Sequence, residues 1–425
     1  YLLNFMRHYS LKRLLEEQID APSAMLRTAI QAARPAMLNH DAIDAYAPLD
    51  PANGRMRAIM DDFFGQHLEQ NLWIPAAMPY YGEARAKAPL TKALIFSSWS
   101  MVPDAIAALL SYEAERRMGV GESGRRYFEQ HRLRPLQFRQ DHGRLAGLRA
   151  LLLIYPSPAL AELADPLAVF SETGATLSLE GMRSAVGDRL KPALGALKEG
   201  AVSHQDAHSA EWAAPAVIDD LLGARSRAWL EAPHGMRALA SEDAFHDHIA
   251  ELAAAVRTRH IGASSDDLSD LLVDVALGSP AVCALRALKR IAPELAWDDP
   301  RLLSAAAEVA WSFRALFNQH DAVALLRRDT DDHYWRRVLA YCAQHNLQAV
   351  LDEYAHYLVD AEGLGARPAD DRAIGVARAM AQALAIRPSQ IDVDDVRVDG
   401  ESLAISKFQM RGRFAMRLAD YKDEE

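Results

Sequence analysis

Residues 92–117 read KALIFSSWSMVPDAIAALLSYEAERR, and the fold assignment turns on them. The stretch opens with a short apolar run, Ala93, Leu94, Ile95 and Phe96, passes through Ser97, Ser98, Trp99 and Ser100, and then takes on helical spacing. Pro103 suits a first helical turn, where its missing N–H costs nothing. Asp104 sets negative charge against the positive end of the helix dipole. Val102, Ile106, Leu109, Leu110 and Ala114 fall on one helical stripe. A buried strand, a polar turn and an amphipathic helix together predict one βα unit of a parallel sheet. Ligands of such sheets meet the loop at the carboxyl end of the strand, here Ser97, Ser98 and Trp99.

The 425 residues suffice for two or three domains and a substantial core. Half of them are apolar and a quarter charged, as in ordinary globular proteins. No apolar run approaches the ~18 residues of a membrane span, and no signal peptide opens the sequence, so no membrane partner is expected. Cys283 and Cys342 lie far apart, each in an apolar helical pattern. They read as reduced core residues, which points to the cytoplasm. The chain begins with Tyr1 rather than Met, as a piece of a longer protein would. A net charge of −11 argues against a surface that grips nucleic acid everywhere, while still permitting a locally basic channel.

Around the central stretch the chain divides into four parts. Residues 1–89 read as connecting helices: LKRLLEEQI and SAMLRTAIQAA have helical spacing, Ser23 is a natural N-cap, APLDPANG is a turn cluster, and a further helix is expected from about Arg55 to Gln70. WIPAAMPYYG, residues 73–82, is an ordered linker that packs its rings on a sheet. Residues 90–118 hold the βα unit. Residues 119–390, rich in Ala, Leu and Arg, read as an all-helical insertion, with a helix pair broken near Gly278, Ser279 and Pro280. A further helix there places Leu347, Val350, Leu351, Tyr354 and Leu358 on one face. In residues 391–425 the period drops toward two, and Asp399-Gly400 between alternating runs predicts a β-hairpin that rejoins the first strand's sheet. The fold class is therefore mainly α with a small α/β part.

Other motifs weigh less. Gly119 to Gly124 match G-x-G-x-x-G but follow a helix rather than a strand, which favours a helix-terminating loop over a phosphate cradle. Asp352 and Glu353 resemble a magnesium-binding acidic pair, yet they sit within an amphipathic helix and read as its solvated face. No G-x-x-x-x-G-K-[ST] loop occurs. His204 with His208, and His246 with His248, read as surface histidines, since a zinc site wants three or four ligands. Arg411, Arg413 and Arg417 either touch phosphates or line an exposed sheet face. Trp99 either stacks on a base or packs in the core.

KALIFSSWSMVPDAIAALLSYEAER resembles the opening of the second RecA-like lobe of superfamily-two helicases. The likeness is greatest to the chromatin-remodeller-like branch, and within it to large bacterial helicases often found in phage-defence loci. Weaker similarity continues in LWIPAAMPYYG, LLLIYPSPALAELADPL and RGRFAMRLADYKDEE. The resemblance implies a partial RecA-like lobe, a parallel strand plus the C-terminal hairpin, interrupted by the helical insertion. It further implies an ATP-driven translocase on nucleic acid, with DNA the expected partner and a protein partner for the insertion. Ser97, Ser98, Trp99 and Arg413 would touch the nucleic-acid backbone. This piece would hold no cofactor and no catalytic or metal-binding residue, ATP and Mg belonging to the longer protein. The alternative is a non-enzymatic helical interaction module.

Overall fold

Helix signals in the sequence translate directly into structure. The computed structural model describes residues 4–6, 10–82, 93–99, 101–121, 124–129, 134–201, 210–223, 226–261, 267–327, 333–385 and 389–412. In chain order the helices of the first third are α1 (Ser10–Glu16), α2 (Ala24–Ala33), α3 (His40–Asp44), α4 (Gly54–Phe64) and α5 (Met101–Arg117). A short hairpin follows, β1 (Arg139–Asp141) and β2 (Arg144–Ala146), then α6 (Leu151–Ile154), α7 (Pro158–Leu163), α8 (Pro166–Thr173), α9 (Leu179–Gly200), α10 (Ala214–Leu221), α11 (Ser226–Glu231) and α12 (Asp243–Thr258). The rest comprises α13 (Leu268–Gly278), α14 (Pro280–Ile291), α15 (Pro300–Phe317), α16 (His320–Arg327), α17 (Tyr334–Gln344), α18 (Leu347–Ala361), α19 (Ala369–Leu384), β3 (Ser389–Asp399) and β4 (Ser402–Gly412).

Local chemistry explains many of these starts. Ser23 accepts the Leu26 N–H at 3.2 Å, and Asn53, Ser157, Asp165, Ser178 and Asp299 cap their helices in the same way. Proline occupies the opening positions of α7, α8, α10, α14 and α15, where no N–H is needed. The helix expected from Arg55 to Gln70 stops earlier, at Phe64, before a left-handed His67.

The chain forms two compact units: Tyr1–Trp73 with Ala88–Arg132 and Ile386–Glu425, and Ile74–Lys87 with Leu133–Ala385. In the first, β3 and β4 form an antiparallel hairpin in register from Ser389↔Gly412 to Asp399↔Ser402. Its two-residue loop, Gly400 and Glu401, carries φ +60° at Gly400, the first central position, as a type II′ turn requires. Val396 and Leu403 of the hairpin close a core with Met6, Leu15, Ile30 and Met37, and α5 packs against β4.

The second unit is built around α14, whose residues from Pro280 to Leu288 are all buried. It packs among α7, α13, α15, α18 and α19. The β1–β2 hairpin is the sole sheet between residues 119 and 388 among the described residues, so this part is mostly helical, with a short hairpin that the all-helical expectation for residues 119–390 lacks. No single helix among the described residues is long and apolar enough to cross a membrane, and the bent pair α13–α14 is core.

Three expectations need correction. Residues 93–96 form no strand: Leu94, Ile95, Phe96 and Trp99 are 66, 40, 81 and 61% exposed. A parallel strand exists only where neighbours satisfy its N–H and C=O groups and both faces are covered. Among the described residues the two sheets are antiparallel hairpins, and neither includes this stretch. The C-terminal hairpin accordingly rejoins no parallel sheet and stands as its own two-stranded sheet. The rings of residues 73–82 pack on helices rather than on a sheet: Tyr81 is buried and donates its hydroxyl to the Ala343 carbonyl at 2.8 Å.

Candidate nucleic-acid interface and buried charge clusters

The turn that the sequence singles out stands in solvent. Ser97, Ser98 and Trp99 are all exposed, so Trp99 is not a core residue. The Trp99 N–H donates to Ser97 Oγ at 3.1 Å, a local serine turn that leaves the hydroxyl free to donate. The Val102 N–H donates to the Trp99 carbonyl at 3.1 Å, leading the chain into α5. Two exposed aromatic rings, two hydroxyls and the positive end of a 17-residue helix thus occur within a few residues of one another. Those groups suit stacking on a base and hydrogen bonding to a phosphate. Arg413, expected beside them, lies outside the described residues, as do Arg417, His204 and His208.

The helix behind the turn differs from its expected amphipathic stripe. Residues 107–115 of α5 are buried on every side, including Ser111, Glu113 and Glu115. Glu113 is held by Arg116 and Arg117 at 2.6 and 2.7 Å, which keeps its carboxyl below the usual range despite burial. Glu115 meets Arg411 of β4. The Arg411 Nη2 and Nε donate to the two carboxylate oxygens at 2.5 and 3.2 Å, and the guanidinium lies 3.9 Å over the Tyr127 ring. Tyr46 donates to the same carboxylate, and the Arg411 backbone N–H donates to the Tyr127 hydroxyl at 2.6 Å. Arg411 is therefore neither on an exposed sheet face nor available to a phosphate.

The glycines of G-x-G-x-x-G also have structural reasons. Gly119 and Gly124 adopt φ +87° and +72°, and a Cβ on Gly121 would fall 2.8 Å from the Tyr46 Cβ.

The second unit carries a longer polar network. Arg286 is fully buried, and all five of its N–H groups are taken: by the carbonyls of Ala161, Leu160, Ala164 and Ala276 at 2.7–2.9 Å, and by Gln348 Oε1 at 3.2 Å. Those carbonyls sit at the ends of α7 and α13, the negative poles of their dipoles. Gln348 in turn donates to Asp352 at 3.0 Å, and Asp352 binds Arg290 at 2.6 Å and the Tyr80 hydroxyl at 2.8 Å. Arg290 completes the chain with both oxygens of Asp165. Asp352 is thus a buried partner rather than a solvated residue, and Tyr354, expected inside, faces out. Glu353 is exposed and accepts the backbone N–H groups of Ala77 and Met78.

His248 is likewise buried, with its ring nitrogens against the carbonyls of Ala244 and Ala146, whereas His246 is half-buried. Both cysteines are buried and free; burial pushes the Cys283 thiol up to about 12. Asp219 accepts from the Tyr155 hydroxyl at 2.7 Å, Ser157 Oγ at 2.9 Å and the Ala159 N–H at 2.9 Å. Burial outweighs those donors and raises its carboxyl to about 7. No group of three or more metal-ligating side chains gathers among the described residues. Sequence reasoning missed Arg286, Arg290 and Asp219; Arg286 alone stands out, as a lone charge within the apolar run from Pro280 to Leu288. No family model, curated protein or solved structure matches the chain.

Proposed function

We propose that the chain is a section of an ATP-dependent nucleic-acid translocase of the helicase type, supplying the start of a second RecA-like lobe with a helical insertion. The observation that carries this reading is the exposed apolar run Leu94, Ile95 and Phe96 directly before the turn and α5. Burying such side chains is favourable by about 25 cal/mol per Å², and an unpaired apolar segment is a template for a neighbouring strand. In a complete lobe the run would be a sheet strand, and Ser97, Ser98 and Trp99 would stand at its carboxyl end against the nucleic-acid backbone. The buried charges of both units serve to hold helices and the hairpin together, so nucleotide chemistry would come from motifs elsewhere in a longer protein.

The test has two arms. The chain alone should bind single-stranded DNA weakly, with a shallow salt dependence that reflects few neutralised phosphates, and should not turn over ATP. In a longer protein carrying the phosphate loop, Ser97→Glu with Ser98→Glu should lower single-strand affinity and nucleic-acid-stimulated ATP hydrolysis. Unchanged affinity and stimulation in a folded double variant would show the turn to be structural only.

A second reading, a helical protein-interaction module, is favoured by one feature of the helical unit. Tyr354 and Tyr357 are exposed on α18 and stacked with ring centroids 6.2 Å apart, and exposed tyrosines are frequent interface anchors. A partner retained by the chain but lost on Tyr357→Ala, with DNA binding unaffected, would support it.

A further inference from the structure

The helical unit contains a guanidinium that its surroundings leave incomplete. Arg286 has five acceptors and Arg290 two carboxylates, whereas Arg314 of α15 makes one hydrogen bond among the described residues, from Nη1 to the Leu136 carbonyl at 2.8 Å. Its Nε is buried without an acceptor, and no carboxylate lies within ion-pair distance of it among the described residues. No hydrogen bond from Nη2 is present among the described residues. The cation rests on rings instead, 3.9 Å from the Trp311 centroid and 5.2 Å from that of Phe138. These rings are stacked on each other, and Phe245 packs against both.

The local charge is unusual for an acidic chain. The segment that supplies Leu136 and Phe138 reads RPLQFR from Arg134 to Arg139, with no carboxylate. Arg134 is close enough to act electrostatically on Arg314, as is Glu242 from the start of α12. Burial, reinforced by Arg134 and opposed by Glu242, pushes the Arg314 guanidinium down to about 10. A partly desolvated guanidinium with no ion pair among the described residues is an arrangement that an oxyanion relieves, through short charge-assisted hydrogen bonds.

We propose that Arg314 and Arg134 form a binding site for a phosphate-type oxyanion, with Nη2 of Arg314 as the principal donor and the Trp311 and Phe138 rings fixing its plane. The ligand is either free phosphate or the phosphate of a small monoester. The site is independent of the translocase reading, since it uses none of residues 93–99.

The experiment is a thermal-shift and calorimetric titration of the full chain with sodium phosphate at constant ionic strength, using chloride as the control. Wild type should show a saturable response to phosphate and none to chloride. Arg314→Lys, which keeps the charge and loses the fork, should weaken phosphate binding about tenfold. Arg134→Gln, a change at an exposed position that leaves the aromatic cluster intact, should weaken it severalfold. Adenosine monophosphate binding tighter than phosphate assigns the site to a monoester, and equal or weaker binding assigns it to the free ion. No saturable response in wild type, or an equal response in the Arg134→Gln protein and in folded Arg314→Lys protein, overturns the proposal.

Discussion

The two units neutralise an arginine in opposite ways. In the first, Arg411 is neutralised by a side chain, Glu115, assisted by Tyr46 and Tyr127. In the second, Arg286 has no carboxylate at ion-pair distance among the described residues and is neutralised by backbone carbonyls at two helix ends, with Gln348. The difference lies in what can be removed. A salt bridge has two mutable halves, and replacing both with apolar groups of similar volume is often nearly neutral. Helix-end carbonyls cannot be mutated away; if the guanidinium goes, they remain buried and unsatisfied.

That contrast sets the largest expected effect. Arg286→Met should destabilise the chain by about 3–5 kcal/mol, read from urea unfolding, and no second substitution in the cage should restore it. A neutral Arg286→Met would mean that the carbonyls find water and the comparison fails. Next, Arg411→Met should cost about 3 kcal/mol by stranding Glu115, while Arg411→Met with Glu115→Leu should recover most of it. Failure of that double variant to recover would place the value of the pair in its tyrosine contacts rather than in its charge.

Asp219 extends the comparison to a buried charge with donors but no cation. Its folded carboxyl holds a proton to about pH 7, whereas an unfolded one releases it near 3.8. Between those values the folded state binds the extra proton, so this residue's contribution to stability falls as pH rises, by at most about 1.4 kcal/mol per unit. Unfolding measured across pH 4–7 should show that slope in wild type relative to Asp219→Asn; parallel profiles would refute it. The smallest effect belongs to Phe96→Ser. With the ring in solvent, its stability change should stay within about 0.5 kcal/mol. A loss above 2 kcal/mol would show that the ring packs against something after all.

The lesson for sequence reading follows from two stretches with the same local signature. Both residues 93–96 and residues 389–412 read as β-structure. The second contains its own partner: the Gly400-Glu401 loop, one residue on from the expected Asp399-Gly400, folds one alternating run onto the other, so pairing is decided within 24 residues. The first needs strands from elsewhere, and no local pattern can tell whether they are present. The α18 helix repeats the point. Its helical period and most of its inner face were legible, since Leu347, Leu351 and Leu358 are buried, but not that Asp352 joins them against Arg290 while Tyr354 stays outside.

What the sequence determined by itself was therefore whatever chain neighbours can settle. Caps such as Ser23 and Asp165, prolines in first turns, the break at Ser279-Pro280 and the II′ loop at Gly400 depend on hydrogen bonds and dihedral angles a few residues long. Only the tertiary structure decided which charges are core. Arg286, Glu115, Asp352 and Asp219 are tolerated inside because acceptors or donors from distant segments converge on them, and the cost of burying a charge depends on those partners rather than on the residue that carries it.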